Sequence, residues 1–127
     1  MKVSHFFLFL AGVFAGSALA TDIQCIMRHS SSTTMKLDDR MDVRASDDDS
    51  VLVKITGVGE QKAMLNDQYA LNLLKEINGV YYYIQPDEDG LAVWAYYKKA
   101  KYLTYSKTRS YPVTRLPDSY LLVGQCK

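Results

Sequence analysis

The hydrophobic pattern divides the chain into one continuous apolar stretch and a long series of short alternating segments. The stretch runs from Phe6 to Phe14, after Lys2 and before the small residues ending Ser17-Ala18-Leu19-Ala20. A positive charge, an apolar run and a small-residue site in that order predict a secretory signal peptide cleaved after Ala20. The run is shorter than the roughly 20 residues that span a bilayer. Residues 1–20 are therefore read as the signal, and residues 21–127 as a single small β domain, soluble and without stable membrane insertion, in the periplasm or outside the cell.

Beyond Ala20 the dominant period is two. Met35, Leu37, Met41, Val43 and Ala45 alternate with Lys36, Asp38, Arg40, Asp42 and Arg44. This predicts a strand with its apolar face buried and its charged face wet. Ser46 to Ser50 then reads as a turn, followed by a strand through Val51, Val53 and Ile55 that stops at Gly57-Val58-Gly59. Val80 to Gln85, with Tyr81-Tyr82-Tyr83, has strand composition and ends at the turn signal Pro86-Asp87-Glu88-Asp89-Gly90. Leu91 to Tyr97, Lys101 to Thr108 and Ser119 to Cys126 continue the series.

Residues 67–77 support two readings. Tyr69, Ala70, Leu73, Leu74 and Ile77 would share one face of a helix capped by Asn66 and ended by Gly79. Tyr69, Leu71, Leu73 and Ile77 also alternate, and Asn78-Gly79 before Val80 is a two-residue hairpin signal. The regular turn spacing on both sides favours the hairpin. The expected fold is mainly β, an antiparallel meander forming a small barrel or sandwich; the alternative is α+β with one helix at about 67–77.

Cys25 and Cys126 are the only cysteines. An exported chain meets an oxidising compartment, so the pair is expected to form a disulfide joining the terminal strands. Closing so long a loop contributes up to about 4.7 kcal/mol in the chain-entropy model. Ile23, Cys25 and Met27 share a face of the first strand, and Tyr120, Leu122 and Cys126 a face of the last, so both cysteines can point into one core.

Charge adds a further distinction. Without residues 1–20 the chain carries 14 basic and 14 acidic residues and one histidine, His29. Residues 98–127 hold seven bases and one acid, and the acidic excess lies before them. Aromatic rings and cations interleave at Tyr96, Lys98, Lys99, Lys101, Tyr102, Tyr105, Lys107 and Arg109. This segment, Tyr96 to Arg115, is the candidate binding surface, suited to an envelope protein or an anionic polymer through charge and ring stacking rather than to nucleic acid. Salt-sensitive binding follows from it.

Catalytic equipment is sparse. His29 stands beside Ser30, Ser31 and Ser32, but adjacency in sequence is not a nucleophile and base in mutual reach. Asp47-Asp48-Asp49 and Asp87-Glu88-Asp89-Gly90 lack the ligand spacing of a calcium loop and read as solvated turns. No catalytic residue, metal ligand or cofactor is assigned. The expected function is a non-catalytic exported binding module. The alternatives are a small secreted hydrolase using His29 or a turn carboxylate, and a carrier of a small apolar ligand.

Overall fold

A computed structural model describes residues 21–87, 90–110 and 115–127. The described residues form nine strands: β1 Thr21–Met35, β2 Met41–Ser46, β3 Val51–Val58, β4 Lys62–Leu65, β5 Tyr69–Ile77, β6 Val80–Asp87, β7 Gly90–Tyr97, β8 Tyr102–Ser110 and β9 Pro117–Cys126. Every pairing is antiparallel, and no helix occurs among the described residues. From β3 to β9 each strand pairs with the next, and β1 pairs with both β3 and β9. The sheet thus closes into an eight-stranded barrel, with β2 as an additional strand on β1. Closure removes most free edges, which decides the expected choice between barrel and sandwich.

The hairpin reading of residues 67–77 holds. Asn78 and Gly79 both have positive φ, 52° and 79°, the left-handed pair that a tight hairpin turn requires. Asn66 and Asp67 form a second such turn, with φ of 51° and 56° and Gln68 N–H donating to Leu65 C=O at 3.0 Å. Asn66 is therefore a turn residue between β4 and β5, not a helix cap. Its side-chain oxygen also accepts the Lys54 N–H at 2.8 Å.

The core fills one end of the barrel. Met27, Ile55, Leu71, Tyr83 and Leu103 are almost completely enclosed, and Val53, Leu65, Trp94 and Leu122 complete the cluster. Each fully buried aliphatic side chain contributes about 1.5–3 kcal/mol. Tyr83 brings a polar tip into this core, and both its hydrogen bonds go to one turn: it donates to Glu60 C=O at 2.7 Å and accepts from Gly59 N–H at 3.0 Å. Its pKa is raised, chiefly because burial disfavours the phenolate. Cys25 and Cys126 stand directly opposite on β1 and β9 with Cα atoms 4.0 Å apart, and they form the expected disulfide.

Two expectations for residues 35–50 are corrected. Residues 35–45 are not one strand: β1 ends at Met35, and a turn at Lys36–Arg40 sends β2 back along it, with Asp39 at a φ of 63°. Nor is the apolar face of residues 41–45 buried. Met41 and Val43 are 62% and 57% exposed, while Asp42 and Arg44 lie on the sheet face that continues the barrel's inner face, Arg44 with most of its side chain in solvent. The reason lies in β1, where a bulge between Met27 and His29 shifts the inward parity, so that Ser30, Ser32 and Thr34 continue the face begun by Met27. β2 follows that face through Thr34↔Asp42 and Ser32↔Arg44. The run Ser46 to Ser50 does not reverse the chain either. β2 and β3 pair with the same edge of β1 and run in the same direction, so the run is a step between them.

Gly124 sits opposite Met27 at that bulge. A Cβ there would stand 2.4 Å from Ile26 O and 2.6 Å from Met27 Sδ, so only glycine lets the two backbones approach.

Candidate functional site

Inward-facing residues change character from one end of the barrel to the other, and the pairing registers show how. Four cross-strand rows succeed one another. The innermost contains Met27, Gly124, Leu103 and Tyr96. The next contains Leu122, Tyr105, Trp94 and Tyr83, an aromatic layer. Then come Arg44, Ser32, Tyr120, Lys107 and Ala92, and finally Asp42, Thr34, Asp118, Arg109 and Gly90. Apolar side chains thus give way to hydroxyls and charges over two rows, and the last two rows include Ala92 and Gly90, which project little into the interior.

The result is a recess of about 570 Å³. Its walls are Ser32 and Thr34 of β1, Asp42 and Arg44 of β2, Tyr105, Lys107 and Arg109 of β8, and Asp118 and Tyr120 of β9. β4 and β5 meet in a turn partway along the barrel, and the β5–β6 pairing ends at Asn72↔Ile84. Among the described residues, the wall is therefore incomplete between β2 and β6 at this end.

Aromatic residues make the floor. Tyr105 packs at 4.6 Å from Trp94 with tilted planes, and at 6.3 Å from Tyr120 edge to face. Trp94 Nε1 donates to Gln85 Oε1 at 2.9 Å, which fixes the indole. Ring faces and edges in this arrangement give a rigid, amphipathic base.

The charges are organised in pairs. Asp118 is buried and accepts from Arg109 Nε at 2.7 Å and from Thr34 Oγ1 at 2.9 Å. The Arg109 hydrogen bond leads in holding its carboxyl below the usual range; burial opposes this, and Thr34 reinforces it. Asp118 is therefore an ionised acceptor at neutral pH rather than a proton donor. Lys107 Nζ, largely covered, lies 2.8 Å from Asp87 Oδ2, and Arg44 Nε lies 3.4 Å from Asp42 Oδ2. The guanidinium and carboxylate of the Arg109–Asp118 pair, held in this way, are pre-organised for hydrogen bonding.

The eight residues of the Tyr96-to-Arg109 set do not converge on one surface. Tyr105, Lys107 and Arg109 enter the recess. Tyr96 is buried in the core, and Tyr102 lies on the outer face of β8. Lys98, Lys99 and Lys101 occupy the exposed β7–β8 turn at the opposite end of the barrel. The Tyr111 to Thr114 part of the segment lies outside the described residues. Sequence reasoning missed Ser32, Thr34, Asp42, Arg44, Asp118 and Tyr120 as partners of the basic strand. For β9 a signal existed, since stepping back by twos from Cys126 reaches Leu122, Tyr120 and Asp118. For β1 and β2 none did, because the bulge resets the parity.

A second groove, about 630 Å³, runs beside the disulfide and includes Arg28, His29, Leu52, Tyr102 and Lys127. His29 Nδ1 lies 2.8 Å from Asp47 Oδ1, and both side chains are mostly exposed. Among the described residues no serine or threonine lines this groove, and its cysteines are bonded to each other. Among the described residues, no cluster of histidine, cysteine and acidic side chains is arranged to hold a metal ion. The Asp87-Glu88-Asp89-Gly90 turn falls partly outside the described residues. Compared with known proteins, the chain matches no family model, no curated protein and no solved structure.

Proposed function

We propose that the protein is an exported, non-catalytic binding module whose recess takes a hydroxyl-rich, anion-bearing saccharide unit of an envelope polymer. One observation carries this reading. Arg44, Lys107 and Arg109 enter one recess from two separate strands, together with the Tyr105 and Tyr120 rings and the Ser32 and Thr34 hydroxyls. Rings offer faces to sugar C–H surfaces, and paired carboxylates and guanidinium groups offer hydrogen bonds to hydroxyls and anionic substituents. Because Asp42, Asp87 and Asp118 balance the three cations, recognition rests on short hydrogen bonds rather than on a long-range positive field. A moderate salt dependence follows. The polar lining favours such a ligand over an apolar cargo, and the ionised Asp118 favours binding over acid catalysis.

Trp94 is the only tryptophan and touches the recess floor through Tyr105, so its emission is a built-in reporter. Titration with oligosaccharides of uronic acids should change that emission saturably, and a neutral glucan should not. Lys107→Ala and Tyr120→Ala should each abolish the response, while Lys98→Ala with Lys99→Ala should retain it. Absence of any response to acidic saccharides would reject the ligand class. If an envelope protein is captured instead, and only the Lys98, Lys99 and Lys101 variants lose it, the site belongs at the other end of the barrel.

A further inference from the structure

We infer that β2 is a self-pairing edge, through which two copies of this chain join their sheets antiparallel about Val43. Among the described residues β2 pairs with β1 alone, so its other edge carries no strand. The backbone direction at that edge can be read from the turn. Lys36 N–H donates to Arg40 C=O at 2.8 Å, which makes Lys36 and Arg40 a hydrogen-bonded pair in the β1–β2 ladder. Alternation then makes Thr34/Asp42 and Ser32/Arg44 hydrogen-bonded pairs as well. Asp42 and Arg44 therefore spend their backbone groups on β1. Met41, Val43 and Ala45 direct their N–H and C=O groups to the open edge.

Side chains select the occupant. Free edges are commonly protected by lysine, proline, a bulge or inward-pointing charges. Residues 41–46 contain no lysine or proline, and their inward charges, Asp42 and Arg44, are of opposite sign, so a second copy can match them. The outer face instead presents exposed Met41 and Val43. The inner face carries one acid and one base, spaced by two.

Antiparallel self-pairing that uses the free backbone groups has three central registers. Centred on Asp42, it sets Asp42 against its own copy and Arg40 against Arg44. Centred on Arg44, it sets Arg44 against itself. Centred on Val43, it sets Asp42 against Arg44 of a second copy twice, Met41 against Ala45 twice, and Val43 against Val43. Only the last register places opposite charges together on the inner face and apolar side chains together on the outer face. Each of its Met41/Ala45 and Val43/Val43 pairs exchanges both backbone hydrogen bonds. The strand is short, so the expected dimer is weak, with a dissociation constant of about 100 µM.

Sedimentation velocity of residues 21–127 with the disulfide intact, from about 10 µM to about 1 mM, tests the pairing. The unaltered chain should pass from monomer to dimer over this range. Asp42→Arg alone and Arg44→Asp alone should each weaken association at least about tenfold, and the double reversal should restore it. Val43→Pro removes a donor from the open edge but none from the β1 ladder, so it should give a monomer with unchanged near-ultraviolet circular dichroism. A chain that stays monomeric at about 1 mM overturns the proposal. Dimerisation that survives Val43→Pro, or is indifferent to the single reversals, overturns the edge. Failure of the folded double variant to associate overturns the register.

Discussion

Arg109 and Asp118 face each other across β8 and β9, with Nε 2.7 Å from Oδ2, at the rim of a barrel whose interior is apolar toward the other end. The contact joins two neighbouring strands and anchors a third, since Thr34 of β1 donates to the same carboxylate.

Acid sensitivity follows from this contact. The folded-state pKa of Asp118 lies below its ordinary 3.8, so the carboxylate's contribution to stability is fully present above that value. It is lost as pH falls from there through the folded-state pKa. Melting temperature should therefore decline on acidification below pH 3.8, and Asp118→Asn should flatten part of the decline. At pH 7 the asparagine variant should melt lower than the parent, and the difference should shrink in acid. Thermal scans at stepped pH measure both effects, and parallel curves for the two proteins would contradict the assignment.

Tyr83→Phe isolates the hydroxyl that holds the β3–β4 turn. The ring would still fill the core, but Gly59 N–H and Glu60 C=O would lose their side-chain partner. A cost of about 1–3 kcal/mol is expected from urea unfolding. Hydrogen exchange at Gly59 should accelerate more than at Leu103, because the loss is local to the turn.

The Cys25–Cys126 bond closes nearly the whole folded chain, with a sequence separation of 101. Replacing both cysteines by serine should lower stability by about 2–5 kcal/mol in chemical denaturation. β1 and β9 also share backbone pairing from Ile26 to Thr34, so the variant should recover native circular dichroism at low temperature. A cost near zero would show that this pairing alone restrains the ends.

The strands most legible in the sequence are those whose signals are local. The Tyr81-Tyr82-Tyr83 strand, the Asn78-Gly79 turn and the inward Ile23, Cys25 and Met27 follow from propensity, turn chemistry and a period of two, which neighbouring residues determine among themselves. The same logic places both cysteines in one core. The barrel's closure, the inward face of Asp42 and Arg44, and the recess required the tertiary structure. A single bulge after Met27 reverses which residues of β1 face inward, and β2 inherits that choice through its register. Alternation shows that two faces exist; only the pairing of distant strands decides which of them is inside.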